Sequence, residues 1–217
     1  MLFLLMSGMS IMQVLVALIV LLLSLTIHEV AHGVVAMWCG DNTAKYSGRL
    51  TLDPRSHLTM QGFIAILLLP IGWGIPVPIN SRNFHHLKSG IFFVSIAGIA
   101  SNLLICFLAC LGLSIMAKIG IVETSFVQAI SLILYTFAYI NIGLAMFNLI
   151  PFPPLDGSKL LWLAMPKQTM NFMARVEQWG FIPLFILVYI FSGPLTWLIT
   201  HAFDVVFFLA DTLVNLF

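Results

Sequence analysis

LLLSLTIHEVAHG, residues Leu21 to Gly33, sets the terms for the rest of the chain. Five of its first seven side chains are pure hydrocarbon, and His28, Glu29 and His32 follow with no break in helix-forming sequence. On a helix, His-Glu-x-x-His puts two imidazoles at i and i+4, on one face and one turn apart. That spacing suits a tetrahedral Zn²⁺, with the glutamate near enough to take a proton from bound water. The motif closes a segment long enough to enter a bilayer, where ionisable side chains are rare and mark function.

Composition extends the same conclusion to the whole molecule. Of 217 residues, 61% are hydrophobic and 8% charged, with mean hydropathy +1.08, whereas a soluble domain is roughly 25% charged. A spanning helix needs about 20 apolar residues, so the chain holds about four to six spans. The expected fold is an all-α polytopic membrane protein, one membrane-embedded domain over residues 1–217, with a core near residues 10–160 and accessory C-terminal helices near residues 180–217. A formal net charge of +1 argues against a nucleic-acid partner. Cys39, Cys106 and Cys110 are too few for a disulfide framework; Cys106 and Cys110 share a helical face and read as buried hydrophobes.

Met1 to Ile27 carries no Lys or Arg and so lacks the basic flank of a cleavable signal peptide. After the break at Ser7-Gly8, the first span runs from about Ser10 to Trp38. Cys39 to His57 is richer in polar and turn-forming residues; Tyr46–Leu52 has strand-like composition and Asp53-Pro54 reads as a turn. Met60–Gly74 is apolar but short and glycine-rich, and its basic flanks favour re-entry over a crossing. In GIPVPIN, Pro76 and Pro78 forbid a helix interior, which leaves an extended edge or a loop between the first two core helices. Gly90–Ala117 and Val127–Ile150 read as spans, and Lys159–Gln178 as interfacial with an amphipathic helix around Asn171–Trp179. Phe181–Phe217 gives one or two further spans, cut at Gly193-Pro194.

Lys45, Arg49, Arg55, Arg82 and Lys88 precede the Gly90 span, and Lys159, Lys167 and Arg175 follow the Val127 span. Basic segments mark the cytoplasmic face, which places the His28 end of the first span and the Asp156 end of the later one together on that side. Two histidines leave a catalytic zinc one protein ligand short. Asp156 is the candidate third ligand, because it follows an apolar span in a turn broken by Pro151, Pro153 and Pro154, beside Gly157. Non-helical backbone at membrane depth is tolerated only where it is buried in protein or faces a wet cavity.

The two motifs together, HEVAH at the end of one span and Asn148, Pro151, Pro153, Leu155, Asp156 and Gly157 at the end of another, resemble the site-2 protease family of intramembrane zinc metalloproteases, peptidase family M50. The second motif departs from the family pattern by the extra Pro154. AGIASN, Ala97 to Asn102, is similar to the family's Gly-x-x-x-Asn element, and GRLTLDPRSH and GWGIPVPIN resemble its compact branch without PDZ or CBS domains. The resemblance implies one Zn²⁺ per chain held by His28, His32 and Asp156, with Glu29 as general base. It implies a substrate- or oxyanion-facing role for Asn102 and Asn148, against the alternative of interhelical glue. The implied substrate is a transmembrane helix, unwound and cut near its cytoplasmic end in the plasma membrane of a prokaryote. The GIPVPIN segment could pair with the unwound strand.

Gly98 reads as close packing; His57, His85 and His86 as solvated or interfacial; His201 as packed or at headgroup level; Trp179 and Tyr189 as interface anchors. Two other function classes use the same cluster: a metal-ion transporter, which needs further ligands stacked along a path, such as Asp204 and Asp211, and an idle scaffold that keeps the metal for stability.

Overall fold

Four helices long and apolar enough to cross a membrane carry the architecture, in a computed structural model that describes residues 8–57, 75–120, 124–163, 165, 175–179 and 182–216. The helices are α1 (Ile11–Trp38), α2 (Thr43–Tyr46), α3 (Leu87–Ile119), α4 (Ser125–Leu149), α5 (Asp156–Trp162), α6 (Ile182–Ile190) and α7 (Ser192–Asn215). The candidate spans are α1, α3, α4 and α7. The nine residues of α6 reach only about 14 Å, too short to cross.

Local chemistry sets where these helices start and stop. Ser10 caps α1 in a capping box: its Oγ accepts the Gln13 N–H, and Gln13 Oε1 accepts the Ser10 N–H. At the other end Gly40 takes φ +111°, and the N–H groups of Gly40 and Asp41 close onto the carbonyls of Met37 and Ala36. Gly120, left-handed at φ 63°, ends α3. The C-terminal apolar stretch breaks at Phe191 rather than at Gly193-Pro194, because Pro194 falls in the first turn of α7, where a missing N–H costs nothing.

The centre of the bundle is α3, which packs against α1, α4, α5 and α7. Cys106, Ala109 and Cys110 meet Ala138 and Ile142 of α4 and Ala210 of α7 in a fully apolar core. Both cysteines are completely buried, as their shared face implied. Small side chains there let helices approach closely, which matters where lipid offers no hydrophobic drive to associate. A polar tie joins α4 to α1: buried Asn141 donates through Nδ2 to Ser24 Oγ (2.8 Å) and to its own helix at Phe137 O (2.9 Å).

Between α1 and α3 the chain departs from two expectations. Tyr46–Leu52 forms no strand: Tyr46 ends α2, and the turn after it has no ladder partner among the described residues. His57 is buried (2% exposed), not solvated. Its Nε2 lies 2.9 Å from Thr51 O and its carbonyl accepts the Ile75 N–H at 2.8 Å, so it pins two passing segments. His85 and His86 are exposed, as is His201, which bonds back to Trp197 O. The expected re-entrant Met60–Gly74 lies outside the described residues, as do residues 171–174 of the helix expected around Asn171–Trp179, whose described part, 175–178, is helical.

Residues 75–80 are neither helix nor ladder strand and form a strap across the end of α1. Arg49 Nη2 donates to Ile75 O (2.7 Å), Glu29 Oε2 accepts the Val77 N–H (2.9 Å), and Asp41 Oδ2 accepts the Asn80 N–H (2.7 Å). Asp41, fully buried, also accepts from Thr43 and from Asn83 Nδ2 (2.8 Å). Burial pushes its carboxyl pKa up, but the bonds from Thr43, Asn80 and Asn83 outweigh that and hold it below the ordinary carboxylate value. A folded-state pKa below the unfolded one gives stability that is whole above about pH 4 and is lost as pH falls through the depressed folded value. Thermal unfolding of Asp41→Ala at neutral pH is expected to show a loss on the order of 2 kcal/mol. The mutant's acid limb below about pH 4 should be flatter than the wild type's.

Candidate metal centre

Three side chains converge where α1, α3 and α5 meet. His28 and His32 come from adjacent turns of α1, and Asp156 is the first residue of α5. All three are buried, at 4%, 6% and 6% exposed. His28 Nε2 lies 3.2 Å and His32 Nε2 3.0 Å from Asp156 Oδ2, and the two Nε2 atoms are 3.0 Å apart. Among the described residues this is the one group of three such ligands.

Asp156 reaches the histidines because the chain folds tightly after α4. A Cβ on Gly157 would stand within 3.0 Å of the carbonyls of Leu149 and Ile150. Glycine is therefore required there by close approach of backbone, not by a left-handed bend. Gly98 of α3 plays the matching part for His28, since a Cβ there would press into the imidazole ring. Lys159, one turn into α5, donates to Asp156 Oδ1 at 3.1 Å and leaves Oδ2 to face the histidines.

The proton positions follow from the outer nitrogens. His32 Nδ1 stands 2.6 Å from the carbonyl of Val94, which can only accept, so that nitrogen carries the proton and Nε2 presents a lone pair. His28 Nδ1 stands 3.2 Å from the Asn102 amide, whose Oδ1 is buried without a partner. Turning that amide over lets Oδ1 accept from Nδ1–H, and His28 then also presents Nε2 as a lone pair. Two imidazole lone pairs and a carboxylate oxygen aimed at one point, out of water, repel one another unless a cation sits between them. Metal–ligand bonds of about 2.0–2.1 Å in a tetrahedron put ligand atoms about 3.3 Å apart. The observed triangle of 3.0–3.2 Å is close to that face. The donor set therefore fits Zn²⁺ with three protein ligands and one position left for water or substrate.

Glu29 is half-buried beside the triangle, and its Oε2 is held by the Val77 N–H of the strap. Asn148 is not drawn into the cluster: its Nδ2 bonds back to Leu144 O at 3.0 Å. Sequence reasoning did not find Val94, whose contribution is a backbone carbonyl with no side-chain signature.

The chain has relatives. Peptidase family M50 is matched over residues 113–191. A protein of Bacillus subtilis (strain 168) named "Putative zinc metalloprotease YwhC" is 38% identical over 170 residues, 78% of this chain and 78% of that one. Proteins named "Putative zinc metalloprotease Rip2" are similar at 29% over 174 residues in Mycolicibacterium smegmatis (77% of this chain, 64% of that one). The one from Mycobacterium tuberculosis strain H37Rv is 28% identical over 178 residues (76% of this chain, 63% of that one). No solved structure matches the chain.

Outer partners of metal-bound histidines are typically worth 10- to 100-fold in metal affinity. Asn102→Ala is expected to weaken zinc binding by about that factor in a chelator competition titration. Gly98→Ala, which displaces the His28 ring itself, is expected to weaken it at least as much.

Proposed function

Because this chain belongs to peptidase family M50, and is an integral membrane zinc metalloprotease, we propose that it hydrolyses a peptide bond within the transmembrane segments of other membrane proteins, with Glu29 as general base. The observation that carries this reading is the convergence of His28, His32 and Asp156, far apart in sequence, at the buried end of a membrane-length helix with Glu29 beside them. His28, His32 and Asp156 hold the metal. Bound Zn²⁺ supplies a Lewis acid that polarises a carbonyl and brings the pKa of a water molecule to about 7. Glu29 takes the proton of the attacking water on its carboxylate and passes it to the leaving amine nitrogen. The Val77 N–H holds one oxygen of that carboxylate and leaves the other free for both transfers. Asn102 acts through His28, by fixing which ring nitrogen is protonated, and Asn148, outside the cluster, keeps the substrate- or oxyanion-facing role. Placement of the basic residues supports a site opening toward the cytoplasm of a prokaryotic cell.

The strap supports one mode of substrate capture. In extended backbone the N–H and C=O of one residue point to the same side, and successive residues alternate. The inner side is occupied by the bonds of Ile75 and Val77. The outer side belongs to Pro76 and Pro78, which have no N–H and can offer only carbonyls. An unwound substrate strand pairs there through its own N–H groups at alternate residues. The transporter alternative needs further ligands along a path, and among the described residues no second ligand group exists.

Two outcomes are expected. In vesicles containing a cleavable single-span protein, Glu29→Gln should lower cleavage by about 100-fold or more while zinc content stays at one per chain; unchanged cleavage would remove Glu29 from the mechanism. A proline scan through the substrate should reduce cleavage about tenfold at two positions spaced by two residues, where an N–H is lost, and little at the position between them. A uniform effect at all three would rule out pairing with the strap.

A further inference from the structure

The lipid-facing flank of α4 and α7 carries polar groups where hydrocarbon can satisfy none of them. Asp204 is the thirteenth of the 24 residues of α7 and so sits at the middle of a candidate span. It is exposed, on the face that turns away from the core, with Val205 (58% exposed), Phe208 (68%) and Trp197 (61%). The other polar side chains of α7 are provided for. Thr196, Thr200 and Thr212 bond to carbonyls of their own helix, His201 Nδ1 donates to Trp197 O, and Asp211 accepts from Asn215. Asp204 has no hydrogen bond or ion pair among the described residues. A carboxyl group at that depth needs partners in either protonation state, and membrane proteins turn such groups toward protein.

The donors lie beside it. Tyr135 and Tyr139 of α4 stack on one another and are 49% and 40% exposed. Both rings contact Phe203, with centroids 5.8 and 6.0 Å away, so they stand at the depth of the residue next to Asp204. Their hydroxyls also lack a partner among the described residues. One flank therefore presents acceptor and donors at a single level of the membrane. Two copies inserted in the same direction are related by a twofold axis along the membrane normal, which preserves depth and brings each face onto itself. The carboxyl of each copy then meets the tyrosine hydroxyls of the other.

We propose that this flank, centred on Asp204, Tyr135 and Tyr139, is the interface through which two copies of the chain pair in the bilayer. The metal ligands come from α1 and α5, whereas the face is built on α4 and α7. Pairing consequently leaves each copy's site to itself. Self-complementarity at one depth favours a second copy over an unrelated helix, whose polar groups would have to match by chance.

The test uses the full chain, fluorescently labelled and reconstituted in phospholipid vesicles over a dilution series, with subunits counted by photobleaching steps. Wild type should bleach in two steps until high dilution. Asp204→Leu should raise the protein-to-lipid ratio needed for pairing at least tenfold while retaining one zinc per chain, and Tyr135→Phe with Tyr139→Phe should shift it in the same direction. Independently of any destabilised variant, Val205→Cys in an otherwise unchanged chain should give a covalent dimer on mild oxidation, above the level seen for wild type. Single-step bleaching of wild type at every density would overturn the proposal, including the case in which it pairs only with an added foreign helix. So would pairing that Asp204→Leu and the tyrosine variants leave unchanged, or dimers that do not cross-link through position 205.

Discussion

Three electron-pair donors pointing at one another inside a membrane protein are the constraint on which the structure depends. Each imidazole meets a polar group at its outer nitrogen, Val94 O for His32 and the Asn102 amide for His28, so a neutral ring with its proton outside turns a lone pair toward the carboxylate. With both protons on the outer nitrogens the triangle needs a positive charge at its centre, and its shape suits a metal ion. Much of the nearby architecture serves to hold it: α3 passes close enough at Gly98 to press on His28, Gly157 lets α5 begin against the end of α4, and Lys159 occupies the outer oxygen of Asp156.

What the sequence reveals of this depends on which kind of group carries the information. The bounds of α1 are legible because the break at Ser7-Gly8 and the polar sequence after Trp38 bracket an apolar run, and the structure caps it there with Ser10, Gln13 and Gly40. His28, Glu29, His32 and Asp156 are legible because ionisable residues in apolar sequence need a reason to be there. The buried state of Cys106 and Cys110 follows from helical spacing. Val94 is not legible, since its contribution is a main-chain carbonyl. Asp41, in a polar stretch full of turn formers, looks like any solvated acid, yet it is fully buried and accepts from three residues. His57 misleads in the same way: the composition around it is polar, but its neighbours in space are the backbones of Thr51 and Ile75. Strand-like composition at Tyr46–Leu52 gives no strand, and among the described residues that segment has nothing to pair with.

Polar residues in the spans divide by what they touch. Asn141 donates to Ser24 between α4 and α1, one turn before His28, and so joins the metal-bearing helix to its neighbour by a bond that hydrocarbon cannot compete for. Threonines on α7 turn their hydroxyls back to their own helix, the cheapest solution for a side chain facing lipid. Asp204 has no such local remedy, because its carboxyl cannot donate to the helix unless protonated and cannot accept from backbone N–H groups already bonded within it.

The strap over the end of α1 has a consequence for disorder. Its bonds run to Arg49, His57 and Glu29 from residues 75 and 77 and to Asp41 from Asn80 at its end, and its two prolines fix φ at residues 76 and 78. Chain freedom in this segment is consequently surrendered once, during folding, rather than each time a guest strand arrives. The ordering cost of each encounter then falls mainly on the guest, so a helix already frayed by glycine or by a break in its own hydrogen bonding would have an inherent advantage over a stable one.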